Sequence, residues 1–203
     1  MERTAEEASP LGAAGARRGQ EEYDETRGRI LRAARRLLLA KRGADFSLDA
    51  VARRARVTRL TVYHQFGSRR GLLEALFDDM AAKGGLLEAL PNAFRQADPE
   101  EALARFVATF GHFWAEGRPI VRRLQALGVL DPELGKAIAG RNEWRRQGLR
   151  VIVARLGRRV SDQAVDVLFT LTSFHTFDTL AGQRSPEAVV PVVLRLARAA
   201  VGL

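Results

Sequence analysis

The richest group of hydrogen-bonding side chains lies in one stretch, TRLTVYHQFGSR, at positions 58–69. Hydroxyl, phenol, imidazole, amide and guanidinium groups stand there at helical spacing. Such groups can contact both phosphates and the edges of bases. The predicted contacts to base edges come from Arg59, Thr61, His64 and Gln65, and those to phosphates come from Tyr63 and Arg69. The stretch therefore predicts nucleic-acid binding.

Two short helices must position these side chains. Ser47 is a good N-cap for a first helix whose apolar face is Leu48, Val51, Ala52 and Ala55. Arg56-Val57-Thr58 makes a short connection, and Thr58 caps a second helix over residues 59–66. Gly67 suits the end of that helix, and Ser68 caps the next one. This layout predicts a helix-turn-helix. The alternative is an ordinary helical hairpin with a solvated basic face.

The distribution of charge favours the DNA-binding interpretation. Residues 1–25 carry a net charge of −4, residues 26–83 carry +9, and residues 84–203 carry +4. The positive charge is therefore densest around the predicted helix-turn-helix, as binding to a phosphate backbone requires.

Together with the preceding helix ILRAARRLLLAKRG, the segments FSLDAVARRARVT and TVYHQFGSRRGLLEALF resemble the TetR (tetracycline-repressor-like) family of transcription regulators. The resemblance covers about residues 26–83. Arg69 stands where the family usually has Lys. Arg70 and Gly71 replace an acidic pair, which predicts a more basic and more flexible helix start, and Leu60 replaces a small residue. The DNA-binding residues implied are Arg27, Ser47, Thr58, Arg59, Leu60, Thr61, Tyr63, His64, Gln65 and Arg69.

Three regions are predicted along the chain. Residues 1–25 mix Gly, Ala, Pro and acids without periodicity, which indicates a flexible arm. This arm is either inert or a minor-groove contact through Arg17 and Arg18. Residues 26–83 form the DNA-binding domain, with a first helix from Thr26 to Arg42 and a fourth from Ser68 to Lys83. Residues 84–203 form a helical effector-binding and dimerisation domain.

The predicted fold is all-α, with about nine helices. Helices begin at Asp98-Pro99 and Asp131-Pro132, and Gly117-Arg118-Pro119 breaks the first of these after Glu116. The last two helices are predicted over residues 161–182, with Ser161 as the cap, and from Pro186 onward. Both carry apolar residues around nearly their whole circumference. Helices of this kind must be buried, either inside a monomer or against a second copy, and the resemblance implies a homodimer through both. Pro191 is expected to kink the last helix.

The resemblance also implies a small apolar or amphipathic effector in the C-terminal domain. Aromatic side chains with a few polar groups are typical of a ligand pocket. The candidate ligand-binding residues are Phe110, Phe113, Trp114, Trp144, Phe174, His175 and Asp178. The alternative is that the aromatic residues are core and the polar ones face solvent or the dimer seam.

Other classes of function find little support in the sequence. There is no Cys, the three His are scattered, and no HExxH or GxSxG pattern occurs. We therefore expect no enzyme, no metal and no cofactor. No run of about 18 apolar residues predicts a membrane span, and no secretory pattern opens the chain, which favours the cytoplasm. We therefore expect a DNA-binding regulator, most simply a repressor that acts on double-stranded DNA. The remaining alternative is a helical protein-interaction adaptor.

Overall fold

The computed structural model describes residues 10–40, 46–157 and 162–203. Within these ranges the chain is all-α, as predicted, with ten α-helices, one short 3₁₀-helix and no strand. In chain order the helices are α1 (Pro10–Leu39), α2 (Leu48–Ala55), α3 (Arg59–Phe66), α4 (Arg69–Lys83), α5 (Leu86–Phe94), α6 (Pro99–Leu130), α7 (Pro132–Arg155), α8 (Asp162–Leu171), α9 (Phe174–Ala181), the 3₁₀-helix (Pro186–Val189) and α10 (Val190–Ala200).

Two compact units divide the chain between Leu72 and Leu73, inside α4. The boundary predicted from the sequence, between residues 83 and 84, lies at the other end of the same helix. The core of the first unit is formed by apolar residues of α1, α2 and α3, which follow one another along the chain. Its fully buried side chains include Ile30, Ala34, Leu38, Val51 and Val62.

The prediction of a flexible arm is wrong for residues 10–25, which form the first four turns of α1. Residues 19–25 are nearly all exposed, so packing does not hold them. Ala, Arg, Gln and Glu favour helix, and extending an existing helix needs no new nucleus. Residues 1–9 and the side chains of Arg17 and Arg18 lie outside what is described. The first helix ends at Leu39 rather than at Arg42.

The predicted break at residues 117–119 is also wrong, because α6 continues through Pro119. Gly117 serves close packing instead. A Cβ added there would lie 2.3 Å from the sulfur of Met80 in α4. Ile120 and Val121, just beyond the proline, are buried. Tertiary packing of an apolar face can maintain a helix across a missing hydrogen bond.

Near the C-terminus, the helix predicted over 161–182 is two helices, α8 and α9. Ser173 is extended, and its hydroxyl accepts a hydrogen bond from the N–H of Thr176 at 3.2 Å. The hydroxyl of Thr172 donates to the carbonyl of Leu168 at 2.9 Å. Such side-chain bonds compete with the regular helix. The predicted cap Ser161 lies outside the described residues.

Pro191 does not kink the last helix, contrary to the prediction. It lies in the first turn of α10, where a missing N–H costs nothing because the first N–H groups of a helix have no intrahelical partner. The predicted starts of the two long body helices are confirmed. Asp98 accepts hydrogen bonds from the N–H groups of Glu100 and Glu101, and Asp131 accepts one from Leu134.

Candidate nucleic-acid interface and ligand cavity

Each helix of the α2–α3 pair begins at a side-chain cap. The Ser47 hydroxyl accepts from the N–H of Ala50 at 3.2 Å, and the Thr58 hydroxyl accepts from the N–H of Thr61 at 3.0 Å. Arg56 ends α2 in the left-handed conformation, with φ 56° and ψ 47°. The predicted helix-turn-helix caps are confirmed, so the chain itself sets the angle at which α3 is presented.

One side of α3 is open to solvent. Val62 is fully buried, whereas Leu60 is 60% exposed and Tyr63 is 56% exposed. Arg59 and His64 are exposed as well, and Thr61 is half-buried. A helix anchored by a single buried residue and exposing a phenol, an imidazole and a guanidinium has the dimensions and the chemistry to enter a major groove about 12 Å wide.

Arg59 forms an exposed ion pair within the first unit. Its Nη1 lies 3.2 Å from Oδ2 of Asp49, and the two side chains are 68% and 49% exposed. Exposed pairs of this kind contribute little free energy, about 0.2–1 kcal/mol. The guanidinium can therefore exchange this carboxylate for a phosphate or a base edge at small cost.

Arg27 and Gln65 point elsewhere than predicted. The Arg27 guanidinium donates to the Gln65 carbonyl at 3.0 Å and lies 4.5 Å from the centroid of the Phe66 ring. The Gln65 side-chain amide lies 3.5 Å from the Tyr23 carbonyl. Both residues connect the C-terminal end of α3 to α1. No local pattern signals this role for Arg27, because it depends on a contact between residues 38 positions apart.

The start of α4 packs tightly against α3. Gly67 has φ 70°, as predicted for a helix stop, and the Ser68 hydroxyl accepts from the N–H of Gly71 at 3.0 Å. A Cβ on Gly71 would lie 2.1 Å from the carbonyl oxygen of Phe66. Gly71 therefore permits a close approach between backbones, which corrects the expectation of a flexible helix start.

Arg69 occupies the position of the usual family lysine. It is half-buried, its Nε lies 3.5 Å from the Phe46 carbonyl, and its guanidinium carbon lies 5.7 Å from the Phe46 ring centroid. It therefore contacts the segment that leads into α2. A phosphate contact at this position would add to that packing.

The second unit contains a cavity of about 280 Å³ between α4, α5, α6 and α7. Its walls are mostly aromatic and aliphatic, with four polar side chains. The lining residues are Phe77, Asp78, Leu86, Leu90, Phe94, Phe106, Phe110, Phe113, Trp114, Arg141, Asn142, Trp144, Arg145 and Gly148.

Four of the seven predicted ligand-binding residues line this cavity, namely Phe110, Phe113, Trp114 and Trp144. Phe174 packs behind the wall, with its ring 5.5 Å from that of Trp114. His175 is exposed and does not line the cavity. Asp178 is also absent from the walls, because two arginines of α6 hold it elsewhere.

Asp178 anchors α9 to α6. Nε of Arg118 donates to its carboxylate at 2.5 Å, and Nε of Arg122 donates at 2.9 Å. Arg118 also donates to the carbonyls of Gly182 and Arg184. Burial alone raises the pKa of Asp178, but the hydrogen bonds from Arg122 and Arg118 outweigh it and hold the pKa below its ordinary value of 3.8. Its role is structural.

The polar wall of the cavity was missed in the sequence. Arg141, Trp144, Arg145 and Gly148 follow the spacing i, i+3, i+4, i+7, which places them on one face of α7. A stripe of two arginines, a tryptophan and a glycine does not look like a core face. The signal in the sequence is the position of Trp144, which shares one face of α7 with two arginines.

These features define a helix-turn-helix DNA-binding protein with a small-molecule-sized cavity in a helical body. Residues 30–76 match the family model described as bacterial regulatory proteins, tetR family. The chain is a DNA-binding transcriptional regulator of the TetR family. Proteins of this family bind DNA and act as dimers, and the adaptor alternative gains no support.

Relatives along most of the chain agree with this assignment. The chain is 27% identical over 201 residues to the HTH-type transcriptional regulator EthR of Mycolicibacterium smegmatis, covering 90% of this chain and 88% of that protein. The structure of the TetR family transcriptional regulator PfmR from Thermus thermophilus is 26% identical, with a TM-score of 0.62, covering 83% of this chain and 93% of that one. A putative fatty acid metabolism regulator of Clostridium perfringens shares the fold at 18% identity, with a TM-score of 0.61 and coverage of 83% and 96%.

Two features are absent from the described ranges. No helix there is both long and apolar enough to cross a bilayer. No group of three or more His, Asp or Glu side chains in the same ranges could hold a metal ion.

Proposed function

We propose that this regulator represses transcription by binding a pseudo-palindromic operator as a homodimer, and that a small ligand in the cavity of the second unit releases it. The observation that carries the DNA-binding part is the open side of α3, where Leu60, Tyr63 and His64 face solvent while Val62 anchors the helix. Repression by a ligand-responsive protein is typical of the family. We further propose that the protein acts in the cytoplasm, beside its DNA, and has no catalytic activity.

The roles of the α3 side chains follow from their reach. Arg59, Thr61 and His64 are proposed to contact base edges, and Leu60 the apolar methyl group of a thymine. Tyr63 and Arg69 are proposed to contact phosphates, which fix the register of the helix without reading sequence. The Ser47 and Thr58 hydroxyls, at the helix N-termini, complete the phosphate contacts in this proposal.

The proposed dimer interface comprises α8, α9 and α10, the segment predicted as the last two helices. Val167, Leu180 and Leu196 in these helices are 42%, 39% and 44% exposed in a single chain. Leu171 and Val192 beside them are half-buried. A second copy would cover these apolar side chains symmetrically. Two copies of α3 would then face successive major grooves, about 34 Å apart.

The test is a salt titration of binding to the intergenic DNA upstream of the gene, with a scrambled duplex as control. We expect tight binding to the first duplex only, with affinity falling steeply as salt rises. Equal, weak binding to both duplexes would contradict the proposal for that DNA.

Two variants separate the proposed contacts. Arg69→Ala should weaken binding to both duplexes and reduce the salt slope by about 1.8 per dimer, because two phosphate contacts are lost. His64→Ala should change the preference between duplexes and keep the slope. Arg150→Ala, which removes an exposed arginine of α7, is the matched control and should change neither. Circular dichroism checks that each variant is folded, and an unchanged slope for folded Arg69→Ala would refute the phosphate assignment.

A further inference from the structure

Arg145 is a buried cation in the cavity wall, with 5% of its surface exposed. Its hydrogen bonds go only to neutral acceptors. Nη1 donates to the Phe169 carbonyl at 2.5 Å and to the Thr172 hydroxyl at 2.6 Å, and Nη2 lies 3.5 Å from Oδ1 of Asn142. Among the described residues no carboxylate pairs with it, and its Nε has no hydrogen-bond partner there.

Such a cation is unfavourable unless something compensates for its burial. Charged side chains are almost never fully buried without a partner of opposite charge. Burial, aided by the neighbouring Arg146, lowers the pKa of Arg145 to about 10. The guanidinium therefore remains protonated at neutral pH. The Phe169 ring, 4.1 Å from the guanidinium carbon, supplies only part of the missing electrostatic attraction.

The other charges of the cavity wall cancel. Nη2 of Arg141 lies 2.7 Å from Oδ1 of Asp78, and the Arg141 guanidinium also stacks 5.0 Å from the Phe77 ring centroid. The wall is otherwise apolar or neutral. The cavity thus carries one uncompensated positive charge, at Arg145, surrounded by aromatic and aliphatic side chains.

We propose that the ligand of this cavity is an apolar monocarboxylic acid of about eight carbons in all, whose carboxylate pairs with Arg145. A carboxylate matches both the single positive charge and the planar fork of a guanidinium. A volume of about 280 Å³ lies close to the lower end of ligand pockets, which span about 300–1,000 Å³, so it suits a small acid such as octanoate. This inference rests on the proposed function, which makes the cavity the effector site.

The intrinsic fluorescence of the protein reports on this site, because both of its tryptophans, Trp114 and Trp144, line the cavity. Without DNA, the full-length protein is titrated with octanoate and with octan-1-ol, which has the same chain and no charge. We expect octanoate to bind at least tenfold more tightly. Equal affinities for the acid and the alcohol would overturn the proposal.

Arg145→Met tests whether the preference for the acid comes from this side chain. We expect the affinity for octanoate to fall at least tenfold and that for octan-1-ol to change less than about threefold. Arg150→Met, on the same helix and outside the cavity, is the control and should bind both as the native protein does. A variant Arg145→Met that keeps the native preference refutes the assignment.

If Arg145→Met does not fold, Arg145→Lys takes its place, because lysine keeps the charge but lacks the planar fork of the guanidinium. We expect Arg145→Lys to retain a reduced preference for octanoate. A full native preference in this variant would count against the pairing.

A second measurement separates this inference from the proposed function. Leu90→Trp fills the cavity, and by calorimetry it should abolish binding of both compounds; persistent binding of octanoate would place it elsewhere and overturn the proposal. DNA affinity is then measured with and without octanoate. Arg145-dependent binding of octanoate that leaves DNA affinity unchanged would support the ligand class and contradict the effector role.

Discussion

Two arginines show how differently the two units of this protein build a binding site. Arg59, at the start of α3, is 68% exposed in its side chain and has an exposed acidic neighbour. Arg145, in the middle of α7, is 5% exposed, and its hydrogen-bond partners among the described residues are all neutral. Water screens the first charge, so it can change partner easily. The second is held in a fixed position, and burial makes its lack of a counter-ion costly.

The difference follows from how each site is assembled. The DNA-binding surface is a continuous stretch of about 25 residues, and its geometry is set by caps within it. The cavity takes its walls from four helices separated in sequence by up to about 70 residues. The first site should therefore be damaged by local changes of backbone, and the second by changes of packing and charge.

The largest expected effect is that of Gly71→Ala on the first unit. The new Cβ would lie 2.1 Å from the Phe66 carbonyl oxygen, and the backbone has to shift, at a cost of about 3 kcal/mol. We expect loss of DNA binding and an early unfolding transition by circular dichroism. The fluorescence transition of Trp114 and Trp144, both in the second unit, should stay in place.

Gly140→Ala is the matched control for that change. No atom lies within 4 Å of a Cβ at this exposed helical position, and alanine favours helix over glycine by up to about 1 kcal/mol. The variant should be slightly more stable than the native protein and bind DNA normally. If Gly71→Ala behaved in the same way, the close contact between α3 and α4 would be refuted.

Asp178→Asn should destabilise the second unit by about 2 kcal/mol at neutral pH, because it removes charge-assisted hydrogen bonds to Arg118 and Arg122. The carboxylate has a depressed pKa in the folded protein, so its contribution is present above its ordinary pKa and is lost as the pH falls through the folded value. Native protein and variant should therefore differ in urea midpoint, followed by tryptophan fluorescence, at pH 7 and 5, and converge below about pH 4.

Glu101→Gln provides the comparison for that carboxylate. Glu101 pairs with Arg105 one turn along α6, and both side chains are about half exposed. The free energy of unfolding of the Glu101→Gln variant, measured in urea, should stay within about 0.5 kcal/mol of the native value at every pH. A difference between native protein and Asp178→Asn that did not shrink in acid would show that the carboxylate charge is not what stabilises α9.

Apart from the control variants, the smallest effect is expected for Thr58→Ala, which removes the N-cap of α3. Loss of such a cap costs about 1 kcal/mol, and the first unit should unfold correspondingly earlier by circular dichroism. Thr58→Ser keeps the hydroxyl that accepts from the N–H of Thr61 and should restore most of the stability. Equal destabilisation by both substitutions would show that packing of the Thr58 methyl group matters more than the cap.

The sequence predicted what is determined locally. The caps at Ser47, Thr58, Asp98 and Asp131 were correct because each depends on residues within one turn. Breaks inferred from single residues were less reliable. Proline was expected to interrupt α6, but burial of the residues around it maintains the helix. The break between α8 and α9 comes instead from side-chain hydrogen bonds that composition does not reveal.

The sites show the same limit. The exposed residues of α3 were identified correctly as a surface, whereas Gln65 of α3 and Arg27 of α1 contact each other across 38 positions of the chain. Four aromatic residues of the cavity wall were among the candidates, because aromatic side chains are typical of ligand pockets. Arg145 was missed because its burial depends on how α7 packs against α6 and α8, and a charged residue on a helix is ordinarily assigned to the surface.

The most direct test of the central claim, that α3 reads DNA as part of a symmetric dimer, is selection of duplexes from a random pool by the purified protein. We expect enrichment of a two-fold-symmetric sequence whose half-sites are separated by about one helical turn, roughly 34 Å, and we expect His64→Ala to change the preferred bases. Enrichment of no sequence, or of a single half-site without symmetry, would contradict it.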